Sequence, residues 1–471
     1  MSSATSPATS AVTSPEFVQA LRNLVGHDGV LVGDEVRSRP AGFFRADHLQ
    51  ADMLVRPRNT GQVAAVLRLC HEARQPVVAQ GGRTGLVHSG DAAPSELILS
   101  MERMAAIEEI DPIQRIAVVQ SGVTLQALQE AADEHDLAFP LDLGARGSCT
   151  LGGNVSTNAG GNRVIRYGMT RDMVLGLEAV LADGTVMSSM NRMLKNNAAY
   201  DLKQLFIGTE GTLGLVTRLV LRLREKPRSQ DVALVGIGSF ANLTAFLKHM
   251  DRGLGGALSA FEAMWNEFYT LVSTPPAKCS PPLPQTHPYY VLVEAQGADP
   301  ERDNARFNAV LESALEQGLI ADAAIAHSER ERAGLWALRD SVLEMVRFGM
   351  PFLFDVSLPI PHMEAYVEEV HDTLRARWPE HHCWTFGHLG DGNLHFGIIV
   401  PGDAGETHPL VEQAVYEPLA RIGGSVSAEH GIGLEKKPYL HLSRSGTEIG
   451  IMKTLKRTLD PHGILNPGKV F

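Results

Sequence analysis

The segment from residue 139 to residue 168, FPLDLGARGSCTLGGNVSTNAGGNRVIRYG, constrains the fold of this chain more than any other stretch. Its seven glycines stand among serine, threonine and asparagine, so the segment has too few apolar side chains to build a core and is too long for a turn. Leu151, Val155 and Ile165 are embedded in it, which argues against a disordered glycine linker. We therefore predict that this backbone winds around a large polar ligand.

A second glycine-rich loop, AQGGRTGLVHSG, follows a predicted strand. Its glycines Gly81, Gly82 and Gly85 would let backbone N–H groups approach a diphosphate closely. Glycine turns after strands are common, and the GxGxxG spacing of the dinucleotide-binding fingerprint is absent. This loop alone therefore does not decide between a phosphate site and an ordinary turn.

The composition excludes two classes of function. The 471 residues carry a formal net charge of -12 and no lysine- or arginine-rich stripe, so we expect no nucleic-acid partner. No run of about 18 apolar residues occurs, so we expect no membrane span. The four cysteines are scattered without a CxxC motif, which is typical of reduced thiols and predicts a cytoplasmic protein.

The length predicts two or three domains. Residues 1–20 are rich in Ser, Thr, Ala and Pro, which predicts a disordered tail. Residues 21–225 alternate short apolar strands, glycine turns and amphipathic helices. Residues 226–425 alternate apolar strands with long helices, which predicts an α+β domain whose sheet is covered by helices. Residues 426–471 close the chain with a helix and an extended end.

The stretch GHLGDGNLH, residues 387–395, places two histidines around a tight turn. If Gly390 to Asn393 form the loop of a hairpin, His388 faces His395, and their Cβ atoms lie roughly 5 Å apart on one face. Glu429, in the glycine-containing VSAEHGIG, offers a third ligand. Two imidazoles and a carboxylate suit zinc or a related divalent metal. Among 18 histidines a chance pair without a metal remains an open alternative.

Several motifs in order carry a resemblance to a known family. The two glycine loops, GTEGTLGLVT at 208–217 and the terminal NPGK resemble the FAD-binding domain of the vanillyl-alcohol oxidase/p-cresol methylhydroxylase superfamily. The order GHLGDGNLH, SAEHGIG and NPGKVF resembles the FAD-dependent D-2-hydroxyacid dehydrogenases, the D-lactate, glycolate and D-2-hydroxyglutarate group. The resemblance implies an α+β protein with a two-part FAD-binding domain at 21–225. It further implies a substrate and metal domain with a helix-covered antiparallel sheet at 226–425, and a segment at 426–471 that returns to the FAD domain.

The resemblance also implies which residues hold the flavin. Some members of the superfamily tether FAD through a histidine, and Arg83 stands where one such tether would sit, so we expect non-covalent FAD. His88, further along the loop, is a possible tether that denaturation would test. The residues expected to hold the cofactor are Gln80, Gly81, Gly82, Arg83, Thr84, Gly85, Leu86, Pro140, Asp142, Leu143, Gly144, Ser148, Gly152, Gly153, Asn154, Ser156, Thr157, Asn158, Gly160, Gly161, Tyr167, Glu210, Gly211, Gly214, Val216 and Asn466.

For the chemistry, the resemblance supports His388, His395 and Glu429 as ligands of a divalent metal, with Zn²⁺ expected and Mn²⁺ as the alternative. Oxidation of a 2-hydroxy acid requires loss of the hydroxyl proton as hydride leaves C2 for flavin N5. A divalent cation can lower the pKa of a bound oxygen by many units, each about 1.4 kcal/mol. The resemblance favours His430 as the general base, with a role as fourth metal ligand as the alternative.

A 2-hydroxy acid carries a carboxylate, and the resemblance implies Arg339 as its clamp, with a hydrogen bond from Asn393. An ordinary surface arginine is the alternative for Arg339. Members that oxidise D-2-hydroxyglutarate are expected to hold its distal carboxylate with a hydroxyl residue four after the arginine and a lysine two before the strand aspartate. Here Leu343 and Leu353 occupy those places. Burying an unpaired carboxylate costs several kcal/mol. We therefore predict apolar monocarboxylates: mandelate, phenyllactate, 2-hydroxybutyrate or longer acids, and lactate as an alternative.

Two other functions remain open from the sequence. One is an FAD-dependent alcohol or phenol oxidase that uses O₂ without a metal, and the other is a metal-dependent hydrolase or binding protein without flavin. The dehydrogenase needs a separate electron acceptor, an electron-transfer flavoprotein or a quinone, because no CxxC or haem-attachment motif occurs. A homodimer is common among relatives, and the sequence does not decide it.

Overall fold

The computed structural model describes residues 14–42 and 45–471. The prediction of a disordered tail at 1–20 is wrong for its last part, while residues 1–13 lie outside the described residues. Helix α1 (Pro15–Val25) begins at Pro15, because the Ser14 side chain accepts the backbone N–H of Phe17 and Phe17, Leu21 and Val25 bury one face. Apolar spacing within the polar-looking tail was the signal that its composition obscured.

The first subdomain is a four-stranded sheet with helices on both faces. Its strand order is β1-β2-β4-β3, with β1 antiparallel to β2 and the other pairs parallel. Helices α1 and α3 pack on it through a shared apolar cluster. Its elements are β1 (Val30–Val32), α2 (Asp34–Arg37), β2 (Met53–Val55), α3 (Thr60–Glu72), β3 (Val77–Gln80) and β4 (Leu97–Ser100).

The second subdomain is a five-stranded antiparallel sheet, in the order β5-β6-β10-β8-β9, beside a short pair β11-β7. Its elements are β5 (Ile107–Asp111), β6 (Ile116–Gln120), α4 (Leu125–Asp133), β7 (Leu137–Ala138), α5 (Leu151–Thr157), α6 (Val164–Tyr167), α7 (Thr170–Met173), β8 (Val174–Val180), β9 (Val186–Ser189), β10 (Leu215–Arg222) and β11 (Arg224–Glu225). The glycine-rich segment 139–168 therefore lies mostly between strands, as loops and two short helices.

A seven-stranded antiparallel sheet dominates the rest of the chain, in the order β15-β12-β14-β13-β17-β18-β16. Helices α8, α10, α12 and α13 cover one face, and α9 and α11 cover the other. The elements are β12 (Ser229–Ile237), α8 (Phe240–Leu254), β13 (Leu258–Trp265), α9 (Asn266–Ser273), β14 (Tyr289–Gly297), α10 (Pro300–Glu316), β15 (Asp322–Ile325), α11 (Glu329–Asp340), β16 (Phe352–Ser357), α12 (Met363–Arg377), β17 (His382–His388), β18 (Asn393–Ile399) and α13 (Ala404–Ile422). The helix-covered antiparallel sheet expected from the sequence is confirmed.

The last segment contains α14 (Leu440–Ser443) and α15 (Gly446–Leu459) and packs on the first two subdomains. Leu465 bridges to Val77 at the edge of β3, and the Asn466 side chain accepts the N–H of Ala79 at 2.8 Å. The Lys456 ammonium donates to the Thr212 carbonyl at 2.8 Å. No helix in the described part of the chain is long and apolar enough to cross a membrane.

Candidate functional site

A cavity of about 640 Å³ lies between the two glycine loops and the seven-stranded sheet. On one side it is bordered by loops of the first two subdomains, and on the other by side chains from α11, β16, β17, β18 and the segment after α13. This volume lies within the usual range for ligand pockets, roughly 300–1,000 Å³. The fold therefore places both predicted sites, for cofactor and for metal, on one cavity.

Most of the predicted cofactor residues line this cavity. They are Gln80, Gly81, Gly82, Arg83, Thr84, Gly85, Leu86, Asp142, Leu143, Gly144, Gly152, Gly153, Asn154, Ser156, Thr157, Gly160, Gly161, Glu210, Gly211, Val216 and Asn466. The cavity also meets residues that sequence reasoning did not name, among them Arg45, Asp91, Ser121 and Thr150. Nothing in their local sequence distinguishes these residues, because the fold brings them to the cavity.

Five predicted cofactor residues do not line the cavity: Pro140, Ser148, Asn158, Tyr167 and Gly214. The Asn158 side chain instead accepts the backbone N–H of Arg171, and the Tyr167 hydroxyl donates to Gln296 across the domain boundary at 2.9 Å. Gly214 packs against the Phe206 ring. We correct the expected role of Asn158 and Tyr167 to support of the loops, since their side chains are engaged away from the cavity.

The glycines of the two loops have a packing role that the sequence did not reveal. A Cβ on Gly82 would lie 1.9 Å from the Ser148 carbonyl oxygen, and one on Gly161 would lie 2.1 Å from the Asp142 carbonyl oxygen. These glycines let the loops pack directly on one another, and Gly161 also has a φ of +153°. The resulting wall is mostly backbone, which fits a cofactor held by N–H groups around its phosphates.

Glu210 joins this wall to the final segment. Its carboxylate accepts the backbone N–H groups of Ile432 at 2.7 Å and Gly433 at 2.9 Å. Burial raises the pKa of Glu210 despite these two bonds. The contact holds the 431–433 turn, which follows His430, against the flavin-side loops.

Three side chains form a candidate metal centre at the other end of the cavity. Ligand atoms of His388, His395 and Glu429 lie within 4.8 Å of one another. The His388 Nε2 atom is 3.8 Å from Glu429 Oε1, and the His395 Nε2 atom is 4.0 Å from Glu429 Oε2. Glu429 also borders the glycine loop, because a Cβ on Gly160 would lie 3.0 Å from its carboxylate. The donor set suits zinc or manganese.

The hairpin that carries the two histidines has a different register from the one predicted. Phe386, not His388, pairs with His395, because the loop starts one residue earlier and closes at Gly392 with a φ of +89°. His388 lies two residues beyond Phe386, so it keeps the same face as His395. The ring centroids of the two histidines are 5.3 Å apart. The register was wrong, but the shared face was predicted correctly.

A buried carboxylate orients His388. Its Nδ1 atom lies 2.6 Å from Glu262 of β13, a fully buried residue, so an Nδ1–H donated there leaves the Nε2 lone pair for a metal. Burial lowers the pKa of His388, but the charge of Glu262 outweighs it and raises the pKa to about 9. Metal-binding histidines commonly show this arrangement, in which a carboxylate accepts one ring N–H and the other ring nitrogen is free to bind the metal.

A second buried carboxylate orients His430. Its Nδ1 atom lies 2.9 Å from Asp355 of β16, which also accepts the Lys436 ammonium and three backbone N–H groups from residues 428 to 430. Burial opposes the charge of Asp355, yet His430 and Lys436 hold its pKa well below the ordinary value. His430 does not belong to the three-residue ligand cluster, which favours the base over the fourth ligand.

Arg339 lies inside the protein and lines the cavity. It is 5% exposed, and its Nε donates to Glu262 at 2.7 Å, so the alternative of a surface arginine is wrong. Its guanidinium centre lies 4.7 Å from the centre of the Phe386 ring. Glu262 thus holds both the predicted carboxylate clamp and the predicted metal ligand His388 in one buried network.

The predicted substrate pocket is partly corrected. Leu353 lines the cavity and is half exposed, but Leu343 is 62% exposed and does not line it. Helix α11 ends at Asp340, so the four-residue spacing from Arg339 no longer keeps one face, and Val342 lines the cavity instead. The buried Asn393 does not line the cavity, and its side-chain amide has no hydrogen-bond partner in the described structure.

Glu262 and Asp355 are the functional residues that sequence reasoning missed. Each stands alone in an otherwise apolar strand, LSAFEAMW and FLFDVS, and both are fully buried. A lone acidic residue within a buried strand was the available signal, because buried carboxylates are rarely present without a partner.

Comparisons with known proteins cover nearly the whole chain. The family model for an FAD binding domain matches residues 51–189, and the model for FAD linked oxidases, C-terminal domain, matches residues 226–470. The chain is 40% identical over 463 residues to a mitochondrial D-2-hydroxyglutarate dehydrogenase of Bos taurus, which covers 98% of this chain and 84% of the relative. It is 38% identical to a putative mitochondrial D-lactate dehydrogenase of Schizosaccharomyces pombe, covering 97% of this chain and 90% of the relative.

The fold is also found among solved structures. The crystal structure of p-cresol methylhydroxylase with substrate bound superposes with a TM-score of 0.75 at 15% identity, covering 97% of this chain and 96% of that one. This likeness confirms the fold class expected from the sequence. Together with the relatives, it confirms the resemblance that the order of motifs indicated.

Proposed function

Since this chain belongs to the family of FAD linked oxidases and is an FAD-dependent oxidoreductase, we propose that it oxidises a D-2-hydroxy acid to the 2-oxo acid with the help of a divalent metal. The observation that carries the proposal is the group of candidate metal ligands, His388, His395 and Glu429. They line the same cavity as His430, Arg339 and the glycine loops. Relatives named for D-2-hydroxyglutarate and D-lactate support the class of substrate.

Substrate binding begins at Arg339. Its Nε is bound to Glu262, and its terminal nitrogens have no hydrogen-bond partner among the described residues, which leaves them for a carboxylate. Charge-assisted hydrogen bonds of this kind are about twice as strong as neutral ones. The clamp would fix the acid with its C2 hydroxyl toward the proposed metal ligand His388, which shares Glu262 with the clamp.

His430 then takes the hydroxyl proton. Asp355 accepts the hydrogen on Nδ1, so Nε2 is the basic nitrogen, and the charge of Asp355 stabilises the imidazolium that forms. A divalent cation held by His388, His395 and Glu429 would supply acidification of the hydroxyl, and FAD held by the glycine loops would supply the hydride acceptor. Glu210 of the flavin-side wall binds the 431–433 turn, which directly follows His430. These bonds hold the proposed base against that wall.

The side chain of the substrate is proposed to be apolar. Leu353 and Val342 line the cavity near Arg339, and Phe386 lies under its guanidinium. Arg146 also lines the cavity, but it is paired with Asp142 at 2.9 Å. A second carboxylate on this side would meet leucine and valine instead of a cation. Because Leu353 is half exposed, that carboxylate would lose only part of its hydration, which corresponds to a preference for apolar acids of about tenfold or more.

The electrons leave to a separate acceptor in this proposal, either an electron-transfer flavoprotein or a quinone, and FAD is held without a covalent bond. Acid denaturation tests the second point, because non-covalent FAD appears in the supernatant. We expect a colourless pellet, and a yellow pellet would show that FAD is covalently bound to the protein.

Steady-state turnover with an artificial dye acceptor tests the substrate class. D-phenyllactate, D-mandelate, D-2-hydroxybutyrate, D-lactate and D-2-hydroxyglutarate are compared by kcat/KM, with the L-enantiomers as matched controls. We expect the kcat/KM of the apolar D-acids to exceed that of D-2-hydroxyglutarate by about tenfold or more. A clear preference for D-2-hydroxyglutarate would contradict the apolar pocket, and no turnover of any 2-hydroxy acid would contradict the function.

A further inference from the structure

A second cluster of metal-ligating side chains lies outside the cavity, and we call His408, Glu412 and Glu435 the outer cluster. Its ligand atoms all lie within 4.8 Å of one another, as they do in the first cluster. His408 and Glu412 come from α13, and Glu435 comes from the segment that follows the 431–433 turn. The His408 Nε2 atom is 3.4 Å from Glu435 Oε1.

The outer cluster is preorganised by its surroundings. His408 and Glu412 are four residues apart on α13 and therefore share one face of the helix. The His408 ring stacks on Phe352 of β16, with centroids 4.5 Å apart and planes 20° apart, and this contact directs Nε2 toward Glu435. A fixed imidazole four residues before a carboxylate is a geometry suited to holding one ion.

Glu412 supplies an independent observation. It is only 8% exposed, and its one hydrogen bond is the Tyr439 hydroxyl at 3.3 Å. No lysine, arginine or histidine lies within 4 Å of its carboxylate in the described structure. A buried carboxylate beside a second carboxylate is costly unless a cation neutralises the pair.

We propose that the outer cluster is a second divalent-cation site, with Zn²⁺ held by His408 Nε2 and the carboxylates of Glu412 and Glu435. One imidazole and two carboxylates, with a position left for water, suit zinc. The proposal goes beyond the proposed function and does not rest on it, because the outer cluster shares no residue with the first cluster.

The consequence is a link between the domains. The second oxygen of Glu435 lies 3.4 Å from His88 Nε2, and His88 Nδ1 lies 3.0 Å from Asp91. His88 belongs to the glycine loop at residues 79–90, Asp91 directly follows that loop, and both residues line the cavity. A cation on Glu435 therefore ties α13 of the substrate domain, through Glu435 and His88, to the loop on the flavin side.

The competing arrangement needs no metal: a protonated His408 paired with Glu435, beside a neutral Glu412. The metal count distinguishes the two arrangements. Purified protein is dialysed against excess Zn²⁺, then against metal-free buffer, and bound zinc is measured by elemental analysis. We expect two zinc ions per chain in the wild type, one in Glu412→Gln, one in His388→Ala and none in the double variant.

Glu417→Gln is the matched control, since it lies on the same helix, exposed, and accepts only from Gln413. It should keep two zinc ions. His408→Ala repeats the test if Glu412→Gln fails to fold, as judged by its flavin spectrum and Tm. In the His388→Ala background, added Zn²⁺ should raise Tm, and it should not do so once Glu412→Gln is added.

The outcomes separate this proposal from the proposed function. One zinc ion in the wild type and none in His388→Ala overturns the outer site and leaves the catalytic one. One zinc ion in the wild type and none in Glu412→Gln supports the outer site and removes the catalytic metal. An unchanged zinc count in both Glu412→Gln and His408→Ala overturns the outer site.

Discussion

The two sides of the cavity are built by different means. The flavin side is backbone: loops at 80–86 and 142–161 pack so closely that a Cβ on Gly82 or Gly161 would overlap a carbonyl oxygen. The proposed catalytic side is made of side chains on the seven-stranded sheet and beside it. Two buried carboxylates fix three of them, because Glu262 binds His388 and Arg339, and Asp355 binds His430. Because the two sides are built differently, we expect some mutations to affect FAD binding and others to affect turnover.

The largest effect should come from the metal ligands. His388→Ala removes one ligand, and we expect turnover to fall by about a thousandfold or more while the protein stays yellow, since a metal contributes several kcal/mol to such reactions. Zinc content and visible spectrum are measured together with kcat. His441→Ala, an exposed histidine bonded only to the Pro438 carbonyl, is the control. Loss of FAD in His388→Ala would contradict the separation of cofactor binding from turnover.

The proton acceptor should give the next largest effect. His430→Ala should lower kcat by roughly a hundred- to ten-thousandfold, the usual contribution of a general base. FAD and metal content should match the wild type, because His430 is bound to Asp355 and not to the ligand cluster. If elemental analysis instead finds that the metal is lost, His430 is a fourth ligand.

A change on the flavin side should give the opposite result. Gly82→Ala places a methyl group 1.9 Å from the Ser148 carbonyl oxygen, so the loop must shift. A strain of about 1–3 kcal/mol corresponds to a roughly 5- to 150-fold weaker binding of FAD. Titration of the apoprotein with FAD measures this, and zinc content should be unchanged. Gly450→Ala, where a Cβ meets no atom within 4 Å, is the control.

The smallest effect should be on substrate choice. Leu353→Lys adds a cation to a half-exposed position that lines the cavity, so it should raise kcat/KM for D-2-hydroxyglutarate relative to D-phenyllactate by about tenfold. Leu343→Lys is the matched control, because Leu343 does not line the cavity, and it should leave the ratio unchanged. If Leu343→Lys shifted this ratio of kcat/KM values and Leu353→Lys did not, Leu343 and not Leu353 would form the wall of the substrate pocket.

The same contrast explains what the sequence could predict. Backbone sites are visible in composition, and 21 of the 26 predicted cofactor residues line the cavity. The candidate metal ligands were visible as a short motif plus Glu429. The histidine register was wrong because a four-residue loop can start at either of two positions, and only Gly392 with its positive φ decides.

The residues that orient the chemistry could not be predicted from local sequence. Glu262 lies 126 positions from His388, and Asp355 lies 75 positions from His430, so their pairing depends on how β13 and β16 are placed in the sheet. Leu343 was misplaced because α11 ends before it. Such long-range contacts and helix ends follow from packing, which no short motif specifies.

Anaerobic spectroscopy of the purified protein tests whether one cavity joins FAD, a metal and a D-2-hydroxy acid. We expect a flavin spectrum that D-phenyllactate bleaches and L-phenyllactate does not. After EDTA treatment, D-phenyllactate should no longer bleach the flavin until Zn²⁺ or Mn²⁺ is restored. Bleaching by D-phenyllactate that EDTA leaves unchanged would contradict the role of the metal. A yellow protein that no 2-hydroxy acid bleaches would contradict the function.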